Sequence, residues 1–232
     1  MGAAVIAKLP VLARPVAPTR ETPRSMWHEL RGLWRRDILL SYGMTVVAMG
    51  ASFVLIPNIS AYTLKNLAFP ENRLGLLYMA GGVVSFGTSR AVGPLVDKLG
   101  AARVGTVGTL VLSAMVAVSF AVSPPLVPVP AIFVGFMFAM SIRNLSYNTL
   151  TTKVPDPKER AAFMSIQSSI QHLASAVGAI GSSFLLRERA DGSLDGMAKV
   201  ALLSIAVGLC LPPMLFVVEG GIRARANNPR AS

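Results

Sequence analysis

The chain has a single cysteine, Cys210. That excludes an internal disulfide and any cysteine-based metal cluster. Charge is sparse too: 14% of the 232 residues are charged, against about 25% in a soluble domain. Acids are scarcer than bases, 11 Asp and Glu against 22 Lys and Arg, and no acid falls in the middle of an apolar run. Phosphate-binding Gly-x-x-x-x-Gly-Lys-Ser/Thr, zinc-binding His-Glu-x-x-His and nucleophilic Gly-x-Ser-x-Gly motifs are missing. The polar segments are also too short for a catalytic domain, so no enzyme, cofactor or metal site is expected. The N-terminus has no secretory core, because Lys8, Pro10 and Arg14 interrupt its apolar residues. Position 6 is Ile, so Met1-Gly2 does not open a myristoylation signal.

What the chain does have is long apolar runs. Hydrophobic residues make up 53% of it, and a spanning helix needs roughly 20 mostly apolar residues. Six runs qualify, at about 38–62, 74–96, 104–122, 127–150, 161–186 and 198–218. The expected fold is an all-α membrane protein with six transmembrane helices in residues 38–220. Residues 1–37 form a Pro/Arg-rich tail, in which Trp27, Leu30, Leu33 and Trp34 recur at helical spacing between arginines. That pattern suits a surface helix or a juxtamembrane anchor. Residues 221–232 form a short basic tail.

The net charge of +11 is not spread as a nucleic-acid surface would spread it. It sits at helix ends and in both tails, where lipid headgroups are the expected partner. With the N-terminus inside, fifteen Lys and Arg fall on the inner side and five on the outer. The positive-inside bias therefore places both termini in the cytoplasm, and the expected location is a bacterial cytoplasmic (inner) membrane.

After the second run comes Gly93-Pro94-Leu95-Val96-Asp97-Lys98-Leu99-Gly100-Ala101-Ala102-Arg103. This resembles the signature loop of the major facilitator superfamily, between helices two and three of a six-helix half. The resemblance implies that Gly93 permits close packing and Gly100 a tight reversal. Asp97 would accept hydrogen bonds at a helix start, and Lys98 and Arg103 would hold the loop at the inner surface. The segment Val154-Pro155-Asp156-Pro157-Lys158-Glu159-Arg160-Ala161-Ala162-Phe163-Met164-Ser165 is similar to a loop and helix start of the arabinose-efflux and drug-proton antiporter branch, with Ala161 in place of a glycine. Residues 55–62 resemble the seventh helix of that branch. The resemblance implies one half of a twelve-helix transporter, the C-terminal one. It further implies efflux-type secondary transport of an unidentified small solute, with a second six-helix half or a second copy as partner. The alternative is a truncated, non-transporting protein or a docking subunit of another transporter.

Polar residues inside the runs are candidates for the transport pathway, because polarity in a membrane is costly unless it faces a cavity or a partner. They are Arg143, Asn144, Tyr147 and Asn148 on the fourth helix and Gln167 and Gln171 on the fifth. A structural tether is the alternative for each. His172 is a possible proton site, since its intrinsic pKa suits the task, or else a hydrogen-bonded packing residue. Eleven small residues between 165 and 183 predict close packing of the fifth helix, and Gly105 and Gly108 predict the same for the third.

Overall fold

A computed structural model describes residues 34–122 and 125–227. The surface helix expected at 26–36 lies outside them except for its last residues. The helices are α1 (Arg36–Lys65), α2 (Glu71–Leu99), α3 (Ala101–Val116), α4 (Val129–Thr151), α5 (Arg160–Ser183), α6 (Met197–Gly208) and α7 (Leu211–Asn227). A π-helical turn, Ala117–Ala121, extends α3. With α6 and α7 taken as one rod, six rods occupy the six apolar runs. Four of them, Arg36–Lys65, Ala101–Ala121, Val129–Thr151 and Met197–Arg225, are long and apolar enough to cross a membrane. The other two, α2 and α5, have 29 and 24 residues, but Gly, Ser, Gln and charged residues dilute their apolar content.

Local chemistry sets the boundaries. Pro70 and Pro128 precede α2 and α4 in extended conformation, which a helix start accepts because the first N–H groups have no intrahelical partner. Gly100 separates α2 from α3 at φ +92°, a backbone region costly for residues with a Cβ. The sixth run is broken at Leu209-Cys210, just ahead of Pro212 and Pro213. The prolines cannot donate into the preceding turn, so the helix restarts there. Beyond the break α7 continues to Asn227, into the segment read as a tail.

The fold departs from all-α at one loop. Between α5 and α6, β1 (Arg187–Glu188) pairs antiparallel with β2 (Leu194–Asp195). Asp191 turns the hairpin: its Oδ1 accepts the Ser193 N–H at 2.9 Å and the Ser193 hydroxyl at 2.6 Å. These two bonds hold the Asp191 carboxyl below its ordinary pKa. Gly196 closes the loop at φ +92°, with the Leu185 carbonyl oxygen where a Cβ would stand. Short polar turns give such pairing regardless of the helical pattern on either side.

α1 lies at the centre of the bundle. It packs on α5, α6, α7 and α4, while α4 packs on α2 and α3. One buried cluster, including Ile38, Met44, Phe163, Leu211 and Leu215, fills the end where α1 begins. A second, including Leu55, Phe120, Phe133 and Val200, fills the opposite end. α2 and α5 each bury a single stripe, Leu77, Gly81, Thr88, Val92 and Val96 in one and Phe163, Gln167, Ala174, Gly178 and Ser182 in the other. One helix closes on the backbone of another at two glycines. A Cβ at Gly178 would sit 2.9 Å from the Gly50 carbonyl oxygen, and one at Gly108 would sit 2.7 Å from the Arg143 nitrogen.

Candidate functional site

An arginine in the body of an apolar helix must find acceptors, because its guanidinium has only donors and stays charged. Arg143 is 1% exposed. Placing such a charge near the centre of a membrane helix costs roughly 2.5–3.5 kcal/mol on insertion scales. Two neutral groups offset part of that. Nη2 donates to Ser52 Oγ on α1 at 2.6 Å and to Asn144 Oδ1 at 2.9 Å, and Nε donates to the same Asn144 oxygen at 3.3 Å. Ser52 can accept because its own proton goes to the Ala48 carbonyl at 2.7 Å. Gly108 on α3 lets that helix close directly over the Arg143 backbone. Tyr147, one turn on, is 1% exposed and lies beside Thr45 of α1.

On the neighbouring face of α4, Asn144 and Asn148 line a groove shared with α2. Ser85, Ser89 and Ser141 complete its polar wall, and its volume is about 260 Å³. Ser85 and Ser141 hydroxyls meet at 2.6 Å, and Ser141 donates to the Met137 carbonyl at 2.7 Å. Ser89 donates to the Ser85 carbonyl at 2.8 Å. Arg143, Asn144, Tyr147 and Asn148 thus come together as one unit. The serines of α2 and Ser52 extend it. Sequence reasoning passed over them because isolated serines in apolar helices ordinarily bond their own backbone.

α5 stands apart from that unit, on the other side of α1. Gln167 is 8% exposed and its Oε1 has no hydrogen-bond partner among the described residues. Gln171 is half-buried and His172 is exposed. The expected packing bond of His172 is not formed: its side chain makes no hydrogen bond among the described residues.

Among the described residues, most of the paired acids lie at helix starts or in loops, and Glu219 lies midway along α7. Arg35 donates to Asp156 at 2.8 Å and to Glu159 at 3.0 Å. Burial disfavours its charge, but the carboxylates outweigh this and raise its pKa. Asp37 pairs with Arg225. These contacts tie the start of α1 to the α4–α5 loop and to α7. At the other end Lys65 pairs with Glu188 at 2.6 Å, and Asn66 brackets Leu194 with bonds of 2.8 and 2.9 Å.

The signature loop behaves differently from its expected roles at two positions. The carboxylate at the α3 start is Glu219 of α7, whose Oε2 accepts the Ala102 N–H at 2.9 Å while Oε1 accepts from Arg223 at 2.7 Å. Asp97 is exposed and has no partner among the described residues, because it sits at the end of the helix α2 on its uncovered side. Gly93 also faces open space: a Cβ there would meet nothing within 4 Å. Gly100 makes the tight reversal, and its missing side chain leaves room for Glu219, which would lie 2.7 Å from a Cβ. Lys98 and Arg103 are exposed at that same end.

No curated protein and no solved structure matches the chain. The family model of the Major Facilitator Superfamily matches residues 1–179. That region takes in α1 to α4, the buried arginine, the groove, the signature loop and most of α5. The chain is an integral membrane protein that belongs to the Major Facilitator Superfamily, a family of secondary transporters.

Proposed function

We propose that the chain moves a small solute across the bacterial cytoplasmic membrane as the C-terminal-type six-helix half of an efflux-type secondary transporter, of the arabinose-efflux and drug-proton antiporter branch. Six spans with both termini on the cytoplasmic side complete this reading. The observation that carries it is the joint between Arg143 and the α2–α4 groove: a costly buried charge is hydrogen-bonded to Asn144, which is itself a wall residue of an open-sided groove. A purely structural tether would need no such cavity. Rocking of one bundle against another around a midplane site is the family's mode of transport, and Arg143 lies in the body of α4.

One bundle leaves the groove and most of α2 and α5 uncovered. A second six-helix unit is therefore part of the proposal. It is preferred to a second copy, which would bring two Arg143 charges together with no described acid between them. It is also the natural source of a membrane carboxylate for proton coupling, which here would otherwise fall to His172. The acid-free interior favours a competing reading, in which the chain is a non-transporting docking subunit. Solute counterflow in vesicles reconstituted with the chain, alone and with a second half, separates the two. Flux that requires the second half and disappears in Arg143→Ala supports transport. Equal flux with and without the chain would leave the docking reading in place.

A further inference from the structure

We propose that the α2–α4 groove is built for a small anion, and that Arg143 makes it so by fixing which way Asn144 points. This deepens the transport reading by naming the charge class of the solute, and it rests on that reading for the groove's role as the pathway.

The argument begins with the guanidinium. It offers donors alone, so the atom of Asn144 that faces it must be the amide oxygen. Arg143 Nε and Nη2 both bond that oxygen, at 3.3 and 2.9 Å. The Asn144 Nδ2 group, with its two N–H donors, is thereby turned to the other side of the amide. Asn144 is also a wall residue of the groove. Asn148 lies one turn away on the same wall, and its side chain makes no hydrogen bond among the described residues. The serines are differently placed: Ser141 and Ser89 give their protons to the helix frame, and Ser85 meets Ser141. The unused donors in the groove are thus the amides of Asn144 and Asn148.

Charge points the same way. No acid among the described residues lines the groove, and the two groups that hold Arg143 are neutral. Arg143 stands directly behind the Asn144 amide as a cation held by neutral groups alone, in a low-dielectric setting where its field is little screened. An anion in the groove would bond the Asn144 amide and meet that field through it. A cation would meet the same field as repulsion. The volume of about 260 Å³ gives room on this side of the pathway for a small solute, just below the range of about 300–1,000 Å³ typical of drug-sized ligands. Arg143 is a positioning residue here; Asn144 and Asn148 are the contacts.

The test uses the full chain in nanodiscs and two isosteric trios: acetate, acetamide and acetamidinium, and benzoate, benzamide and benzamidinium. Equilibrium dialysis reads binding at constant ionic strength. At least one carboxylate should bind about tenfold or more tightly than its amide and its amidinium, a difference of about 1.4 kcal/mol. Arg143→Gln should erase that preference. Asn144→Asp supplies the counter-ion that Arg143 lacks, so it should fold even if Arg143→Gln does not, and should also abolish carboxylate binding. Equal binding within a trio, a preference for the amidinium, absence of millimolar carboxylate binding, or a preference that survives Asn144→Asp would each overturn the proposal. Counterflow of the same compounds separates it from the transport reading. A carboxylate bound but never moved, even in vesicles that hold the chain together with a second half, refutes transport and leaves the anion site standing. A neutral or cationic member moved in preference refutes the anion site and leaves transport standing.

Discussion

At the scale of single residues, the two carboxylates near the start of α3 have unequal work. Glu219 accepts the Ala102 N–H and pairs with Arg223, so it satisfies a backbone donor and complements the helix dipole together. Asp97 does neither among the described residues. Glu219→Ala is expected to lower the stability of the detergent-solubilised protein by about 1–2 kcal/mol, while Asp97→Asn stays within about 0.5 kcal/mol. Thermal unfolding followed by circular dichroism reads both. A larger loss in the Asp97 variant would reverse the assignment. Asp191 supplies a pH-dependent feature. Its folded pKa is depressed by Ser193, so its contribution to the hairpin is present above the unfolded carboxylate value of about 3.9 and is lost as pH falls through the lower folded value. An NMR titration of the Ser193 amide should show a midpoint below about 3.9, and Asp191→Asn should remove the transition.

The element scale shows which part of the sequence signal is informative. Eleven small residues crowd the fifth run, yet α5 meets α1 through one stripe that includes Ala174, Gly178 and Ser182. Ser168, Ser169 and Ala176 are exposed instead. Composition tells that close contact is possible; only the facing backbone tells where. At Gly178 the neighbours are main-chain atoms, Gly50 O at 2.9 Å and Val54 N at 3.1 Å, which cannot swing aside as a flexible side chain can. Gly178→Val should therefore force α5 off α1 and cost about 1–3 kcal/mol or more. Gly93→Val, with nothing within 4 Å, should be near neutral. Heat resistance of a fluorescent-protein fusion on size exclusion ranks the pair, and equal losses would count against the contact.

For the whole molecule, the question is how the rods lie in the bilayer. Four are apolar enough to cross it by composition; α2 and α5 cross, in the proposed topology, because each buries its stripe against a central helix and offers its polar and small residues to a second bundle. Reporter fusions after Lys65, Arg103, Pro125, Pro155 and Ser193 should alternate in sidedness, beginning outside. Two consecutive fusions on one side would remove the helix between them from the set of spans and sink the six-helix reading.

The sequence by itself determined the positions of the six rods, the concentration of basic residues at one end, the lack of interior acids and the prominence of Arg143. Each of these depends on local composition and on the cost of polarity in lipid, which a run of residues carries within itself. Tertiary structure alone decided that Ser52 and Asn144 hold the guanidinium, that Ser85 and Ser89 complete the groove wall, and that Glu219 rather than Asp97 meets the start of α3. It also parted Gln167, Gln171 and His172 from Arg143. The reason is physical: a hydrogen bond between helices depends on which faces meet, and Ser52 and Arg143 are 91 positions apart. Helical periodicity says which residues share a face, but the partner of that face is fixed by how the six rods, with glycines at Gly108 and Gly178, pack closest together.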